Sequence, residues 1–307
     1  MRYLFVFLFC ALGQLAFATD TEISIKNAFG TLEGSIRSAG PKAPQVIIVP
    51  GSGPIDRNGL PPKNPCVGIY DQWADALKDR GITTLRFDKR GSFGSHTGIG
   101  DKNDLRIAGY AEDLRLWIDA WQEASGEPCI WLLGHSEGGL VSLVTAHQNS
   151  DRICGLILAT SPGRPIDVIL KEQIGNFTKS KRVMSQLRKV LDTLKTGGVI
   201  DEKKIPLGLR SLFGPVNQRY FADAMAYTPT DYIAGLTLPI TILQCARDVQ
   251  VRETDADALN DANDHADLTI LLGHNHSFQE TDLVFPLKGT PPGTPFIDAI
   301  ENAVKAN

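Results

Sequence analysis

The run Ile130-Trp131-Leu132-Leu133-Gly134-His135-Ser136-Glu137-Gly138-Gly139-Leu140-Val141 decides how this chain is read. Its first four residues are apolar without a break, the pattern of a strand buried on both faces. From Gly138 to His147 the spacing becomes helical, so a strand enters a helix through a turn with Ser136 at its centre. The spacing Gly-x-Ser-x-Gly has a steric reason: a sharp turn that holds serine in a strained backbone needs neighbours without side chains, so that strand and helix can approach. A serine so placed lifts its hydroxyl above the carboxyl edge of a sheet, where it can act as a nucleophile.

Outward from this turn, apolar runs alternate with amphipathic helical patterns. Strands are expected at Gln45–Val49, Thr83–Phe87, 130–133, 155–159, 240–244 and 268–272, and helices at 70–79, 111–124, 138–147, 255–262 and 295–306. This β-then-α order predicts an α/β fold, a mostly parallel sheet with helices on both faces. Residues 22–25 and 31–36, around Asn27-Ala28-Phe29-Gly30, predict an antiparallel hairpin at one sheet edge. Between about 163 and 238 the rhythm breaks; roughly three helices and no strand are expected there, as a helical lid insertion leaving the sheet on the edge that carries Ser136. One helix of the lid, near 179–195, has Leu187 and Leu191 on an apolar stripe that must be buried against other lid helices or over the substrate pocket.

A serine hydroxyl needs a base, and the base needs an orienting acid. In sheets with this turn the chain order is serine, acid, histidine. His276 lies in the polar loop Gly273-His274-Asn275-His276-Ser277-Phe278 beyond the last strand and is the candidate base, with His274 the alternative and His265 read as a surface residue. Asp248, after the strand 240–244, is the candidate acid, with Asp167 as substitute. The developing oxyanion calls for two backbone donors, one from the residue after the nucleophile, Glu137, and one from the glycine-rich loop Pro50-Gly51-Ser52-Gly53-Pro54, where Ser52 is preferred and Gly53 is next. That loop lacks the Gly-Lys-Ser/Thr of a phosphate loop. Asp56-Arg57 is read as a brace for it.

Four segments together, Pro50 to Gly59, Phe87-Asp88-Lys89-Arg90-Gly91, Gly134 to Gly139, and Asp248 with Asn275-His276-x-Phe278, make the chain resemble bacterial α/β-hydrolase serine esterases that carry PGSGP-x-DR-[DN]-G after the third strand. The resemblance implies the α/β-hydrolase fold and hydrolysis of small carboxylic esters by Ser136, Asp248 and His276, without metal or cofactor, and it supports His276 as the base. The chain departs from the group in one place, where Phe93 separates Arg90-Gly91-Ser92 from Gly94-Ser95. Thioesterase, lysophospholipase or peptidase chemistry on the same scaffold, or a binding module that has lost catalysis, are the competing expectations.

Composition agrees with a globular protein. Of 307 residues, 42% are hydrophobic and 21% charged, enough to bury a substantial core, and a net charge of -4 offers no basic face for nucleic acid. Residues 1–18 read as a signal peptide: Arg2, an apolar stretch at 3–12, and Ala16-Phe17-Ala18 as a small-x-small cleavage site. The apolar run is too short to span a bilayer, so the expectation is an exported, periplasmic or secreted chain, 19–307, with no membrane span after cleavage. Cys66, Cys129, Cys154 and Cys245 then remain, and Cys129 with Cys154, at the starts of neighbouring strands, has the most favourable geometry for a disulfide.

Overall fold

A computed structural model describes residues 20–60, 68–101 and 103–306. The expected signal segment and Cys66 lie outside these residues. Strands β1 (Thr21–Lys26), β2 (Thr31–Arg37), β3 (Gln45–Val49), β4 (Thr83–Phe87), β5 (Ile130–His135), β6 (Ile153–Ala159), β7 (Ile240–Cys245) and β8 (Ala266–Leu271) form one sheet in the order β1-β2-β4-β3-β5-β6-β7-β8. The first two strands are the antiparallel hairpin, and from β4 to β8 every pairing is parallel. Helices are α1 (Ile69–Asp79), α2 (Ile107–Ser125), α3 (Glu137–Asn149), α4 (Ile166–Phe177), α5 (Lys181–Lys195), α6 (Arg210–Phe213), α7 (Pro215–Ala224), α8 (Pro229–Ile233), α9 (Glu253–Asp261) and α10 (Thr294–Lys305).

The unbroken apolar strands feed two cores at once, because alternate residues of a strand point to opposite faces. Val46, Ile48, Trp131 and Leu133 join α1 and α10 on one face, whereas Ile47, Val49, Ile130 and Leu132 join α2, α3 and α9 on the other. Neighbouring strands β3 and β5 therefore send their following helices, α1 and α3, to opposite faces. Such a reversal opens a crevice at the carboxyl edge of the sheet, between the loops after β3 and β5.

All of the described chain between β6 and β7 is helix, turn or loop. It holds five helices where about three were expected; α6 has four residues and α8 five, too few to display a 3.6-residue period in sequence. This cap has its own apolar core, in which Leu187, Leu191, Leu194 and Phe213 are buried together. At the far edge β8 begins two residues earlier than expected, and Leu272 lies beyond it, exposed. The apolar run misled there because an edge strand buries only part of its surface. Cys129 and Cys154 are joined in a disulfide, with Cα atoms 5.0 Å apart, tying the start of β5 to β6, and Cys245 is a buried free thiol.

Candidate active site

At the end of β5 the chain turns so tightly that a Cβ on Gly134 would stand 2.6 Å from the Gly138 carbonyl oxygen, and one on Gly138 would stand 2.1 Å from that of Val49. Only glycine fits at either position. Ser136 sits between them at φ 53°, ψ -125°, a strained conformation for a residue with a side chain. Its backbone is pinned by hydrogen bonds from Ser136 N to Ala159 O and from Gly139 N to Ser136 O, each 2.9 Å. Its hydroxyl has no hydrogen-bond partner among the described residues and faces a cleft of about 500 Å³.

The candidate acid and base meet. Asp248, in the turn after β7, accepts hydrogen bonds on Oδ1 from the amides of Gln250 and Val251, which aim Oδ2 at His276 Nδ1, 2.5 Å away. Both side chains are buried. Asn275 Oδ1 accepts from the amides of Ser277 and Gln279, building the turn that carries His276, and Phe278 is stacked on Phe296 with ring centroids 3.9 Å apart. That is the physical content of the Asn-His-x-Phe pattern: asparagine folds the turn and phenylalanine anchors it in the core.

The alternatives lie elsewhere. His274 turns Nδ1 back to the Leu272 carbonyl, 2.7 Å away, and its ring is wedged beside Gly293. Asp167 sits on α4 and pairs with Lys171 at 3.0 Å and Lys195 at 3.5 Å. His265 is exposed.

Ser52, Gly53 and Glu137 line the cleft together with Ser136. Among the described residues the amides of Ser52 and Glu137 donate to no protein acceptor; the second is the first amide of α3, which a helix leaves unpaired. Gly51 lies against Ser136, for a Cβ there would be 3.3 Å from the serine's own. The Asp56-Arg57 pair braces this loop as expected. Asp56 Oδ1 accepts from the amides of Asn58 and Leu60, and Arg57 is tied to Asp88 through its own amide and guanidinium. The additional Phe93 is accommodated at the surface with φ 44°, and the loop closes behind it through Gly91 N to Ser95 O, 2.9 Å.

Several buried polar residues escaped sequence reasoning. His135 Nε2 faces the His276 carbonyl at 3.0 Å, so it carries the proton, and His135 Nδ1 accepts from the Tyr70 hydroxyl at 2.9 Å. Tyr70 in turn accepts from the Gly51 amide at 2.8 Å. Burial pushes the His135 pKa down to about 3, and the neighbouring His276 adds to the shift. This neutral histidine connects the loop after β3 to the backbone of the candidate base. Lys89, two residues beyond β4, donates to Gly51 O at 3.0 Å and to Glu137 Oε1 at 2.7 Å. Both residues stood within the quoted motifs, yet nothing in their spacing announced a buried partner.

Above Ser136 the cleft is walled by Ile107, Tyr110 and Leu140 from the body and by Ile166, Leu170, Tyr220, Phe221 and Tyr227 from the cap side. Arg90 and Arg164 also reach it, but Arg90 is paired with Asp113, and Arg164 with Asp255 and Glu172. A second, more open depression of about 570 Å³ lies behind Asp248 and is lined by Glu172, Asn176 and Arg252; Ser136 does not line it. No group of histidine, cysteine and carboxylate side chains suited to a metal ion occurs among the described residues. None of the described helices is long and apolar enough to cross a membrane.

The family model described as serine aminopeptidase, S33, matches residues 64–204, which contain Ser136 but neither Asp248 nor His276. Esterase EstD of Thermotoga maritima is 26% identical over 213 residues, 69% of this chain and 48% of that protein, so the chain spans about half the length of this curated relative. Among solved structures, Est1E from Butyrivibrio proteoclasticus superposes with a TM-score of 0.57 at 17% identity, over 93% of this chain and 96% of that one. The Pyrococcus furiosus esterase Pf2001 superposes with a TM-score of 0.56 at 16% identity, over 94% and 92%. The sheet order and these likenesses establish the α/β-hydrolase fold.

Proposed function

We propose that the chain is a serine hydrolase that cleaves carboxylic esters through an acyl-enzyme, with Ser136 as nucleophile, His276 as base and Asp248 as the acid that orients it. One observation carries this reading: a strained serine at the floor of an apolar cleft shares its sheet edge with a buried histidine whose Nδ1 is held 2.5 Å from a carboxylate. In that arrangement Asp248 keeps the proton on Nδ1, leaving Nε2 to accept the proton of the Ser136 hydroxyl as Oγ attacks the ester carbonyl. The amides of Ser52 and Glu137 receive the negative charge that develops on the carbonyl oxygen. The imidazolium returns its proton to the departing alcohol, and water, activated by the same imidazole, releases the acid. Further support comes from the esterase EstD and from the esterase Pf2001 of similar fold.

The cleft suits a neutral substrate with an apolar acyl group, since its walls are aliphatic and tyrosyl and its two arginines are already paired. We place the mature chain in the periplasm or outside the cell, a reading supported by the signal-like leader and by the Cys129–Cys154 disulfide, a bond that persists in oxidising compartments. The test is a screen of p-nitrophenyl esters of graded acyl length beside thioesters and peptide amides, combined with fluorophosphonate labelling and identification of the labelled serine. Hydrolysis of esters with label on Ser136 is expected. A protein that is folded, unlabelled and inert toward every ester would overturn the proposal.

A further inference from the structure

Lys89 is buried beneath the nucleophile's turn, with its ammonium between Gly51 O at 3.0 Å and Glu137 Oε1 at 2.7 Å, and 4.2 Å from the centre of the Tyr110 ring. A lysine is seldom buried so completely without a task, because its desolvation is costly. Burial alone pulls its pKa down, but Glu137 and Tyr110 more than offset this, and the net shift is upward, so the group is a cation at neutral pH. The far oxygen of Glu137 accepts a hydrogen bond from the Tyr220 hydroxyl of α7 in the cap. Neighbouring Arg90 takes no part in this cluster, its guanidinium being committed to Asp113.

Two of these contacts fall on the residues that flank the developing oxyanion. The Gly51 carbonyl and the Ser52 N–H belong to one peptide unit, which is planar and trans, so the two groups point in opposite directions. A hydrogen bond that holds the carbonyl therefore fixes where the N–H points. Glu137 supplies the other amide. We propose that Lys89 is a positioning residue of the oxyanion site: anchored on the Glu137 carboxylate at the start of α3, it grips the Gly51 carbonyl with another N–H and so holds the Ser52 amide toward the Glu137 amide, whose own direction α3 fixes, beside Ser136. This rests on the serine-hydrolase reading above. Tyr70 holds the Gly51 N–H, so the peptide units on both sides of Gly51 are gripped, and of their two N–H groups the one left for the substrate is that of Ser52.

The test compares the parent with Lys89→Met, which retains the stem and removes the charge, and with Lys89→Met/Glu137→Gln, which leaves no unpaired buried carboxylate and guards against loss of folding. For the folded double variant kcat on p-nitrophenyl butyrate should fall about 10- to 100-fold, a share of the roughly 10²–10³ that loss of an oxyanion donor costs, with KM changed less than about threefold. Affinity for phenylboronic acid, whose tetrahedral adduct places an oxygen among the same donors, should fall in parallel, while melting temperature does not track the loss. A kcat within about twofold of the parent, or a loss that appears in KM with boronate affinity unchanged, would overturn the role of Lys89. A parent enzyme that neither hydrolyses the ester nor reacts at Ser136 would remove the serine-hydrolase reading itself, and this inference with it.

Discussion

The sheet edge and the cap are built in opposite ways. At the edge, Ser136, Asp248 and His276 hang from the ends of β5, β7 and β8, and their immediate supports, His135, Tyr70, Lys89 and Asn275, are buried and hydrogen-bonded to named partners. The cap instead closes on an apolar core of its own, lends Ala224, Ile233 and Leu236 to the core of the body, and is tied to it by polar contacts that include Tyr220 to Glu137, Asp223 to the Ile107 amide, Arg164 to Asp255 and Gln173 to the Gln250 carbonyl. One region over-determines the position of a few atoms; the other presents side chains to a cavity. Chemistry should therefore be sensitive to single atoms at the edge, and selectivity to side-chain volume in the cap.

The sharpest way to break this contrast is at Ser136, the proposed nucleophile. Ser136→Ala should lower kcat on activated esters by about 10⁶ with the fold intact, and His276→Ala by nearly as much, because such residues act as a unit. Circular dichroism together with p-nitrophenyl ester turnover checks both, and activity of Ser136→Ala within about tenfold of the parent would end the assignment. Asp248→Asn should cost roughly 10⁴, since an amide favours the wrong tautomer of His276. His274→Ala and Asp167→Asn should leave kcat almost unchanged, for neither side chain is bonded to the Asp248–His276 pair.

Burial at the edge also predicts a dependence on pH. His135 is neutral in the folded protein with a pKa near 3, whereas in the unfolded chain it titrates near the ordinary value of 6.5. Below pH 6.5 the unfolded state thus binds more protons, and stability falls as pH drops from 6.5 toward 3, by up to about 1.4 kcal/mol per pH unit from this residue. His135→Gln can retain both hydrogen bonds without a titrating ring, so its urea-unfolding free energy should decline less steeply between pH 6.5 and 4. Parallel slopes for parent and variant would show that His135 is not the source.

What was legible in sequence follows the same division. Strands buried on both faces read as short runs rich in apolar and β-branched residues, so β3 through β7 were visible, and the steric demands of the elbow are written as glycines at fixed offsets. The turn of His276 was visible because Asn275 and Phe278 each have a job that few residue types can do. Lys89, Tyr70 and His135 stayed hidden as supports because a buried hydrogen bond over tens of residues leaves no periodic trace. The cap was legible as an interruption with one helix, α5, readable from its apolar stripe; α7 and α8 start at Pro215 and Pro229, and such short helices take their stability from tertiary packing more than from any pattern of their own.

The smallest expected effect separates two kinds of cap residue. From sequence, the stripe of Leu187 and Leu191 could lie against other cap helices or over the pocket. In the fold both side chains are buried in the core of the cap and neither lines the cleft, whereas Leu170 and Phe221 belong to that core and also face the cleft. Leu187→Ala should therefore destabilise the protein by about 2–5 kcal/mol through an unfilled cavity, while the ratio of kcat/KM between short and longer acyl esters stays fixed. Phe221→Ala or Leu170→Ala, if folded, should change that ratio several-fold, because a methylene in a pocket contributes roughly 1–3 kcal/mol of discrimination. Melting curves and an acyl-length series on the three variants decide the matter. A shifted ratio in Leu187→Ala equal to that in Phe221→Ala would mean that the cap responds as one body and that the division between its core and its cleft face has no functional meaning.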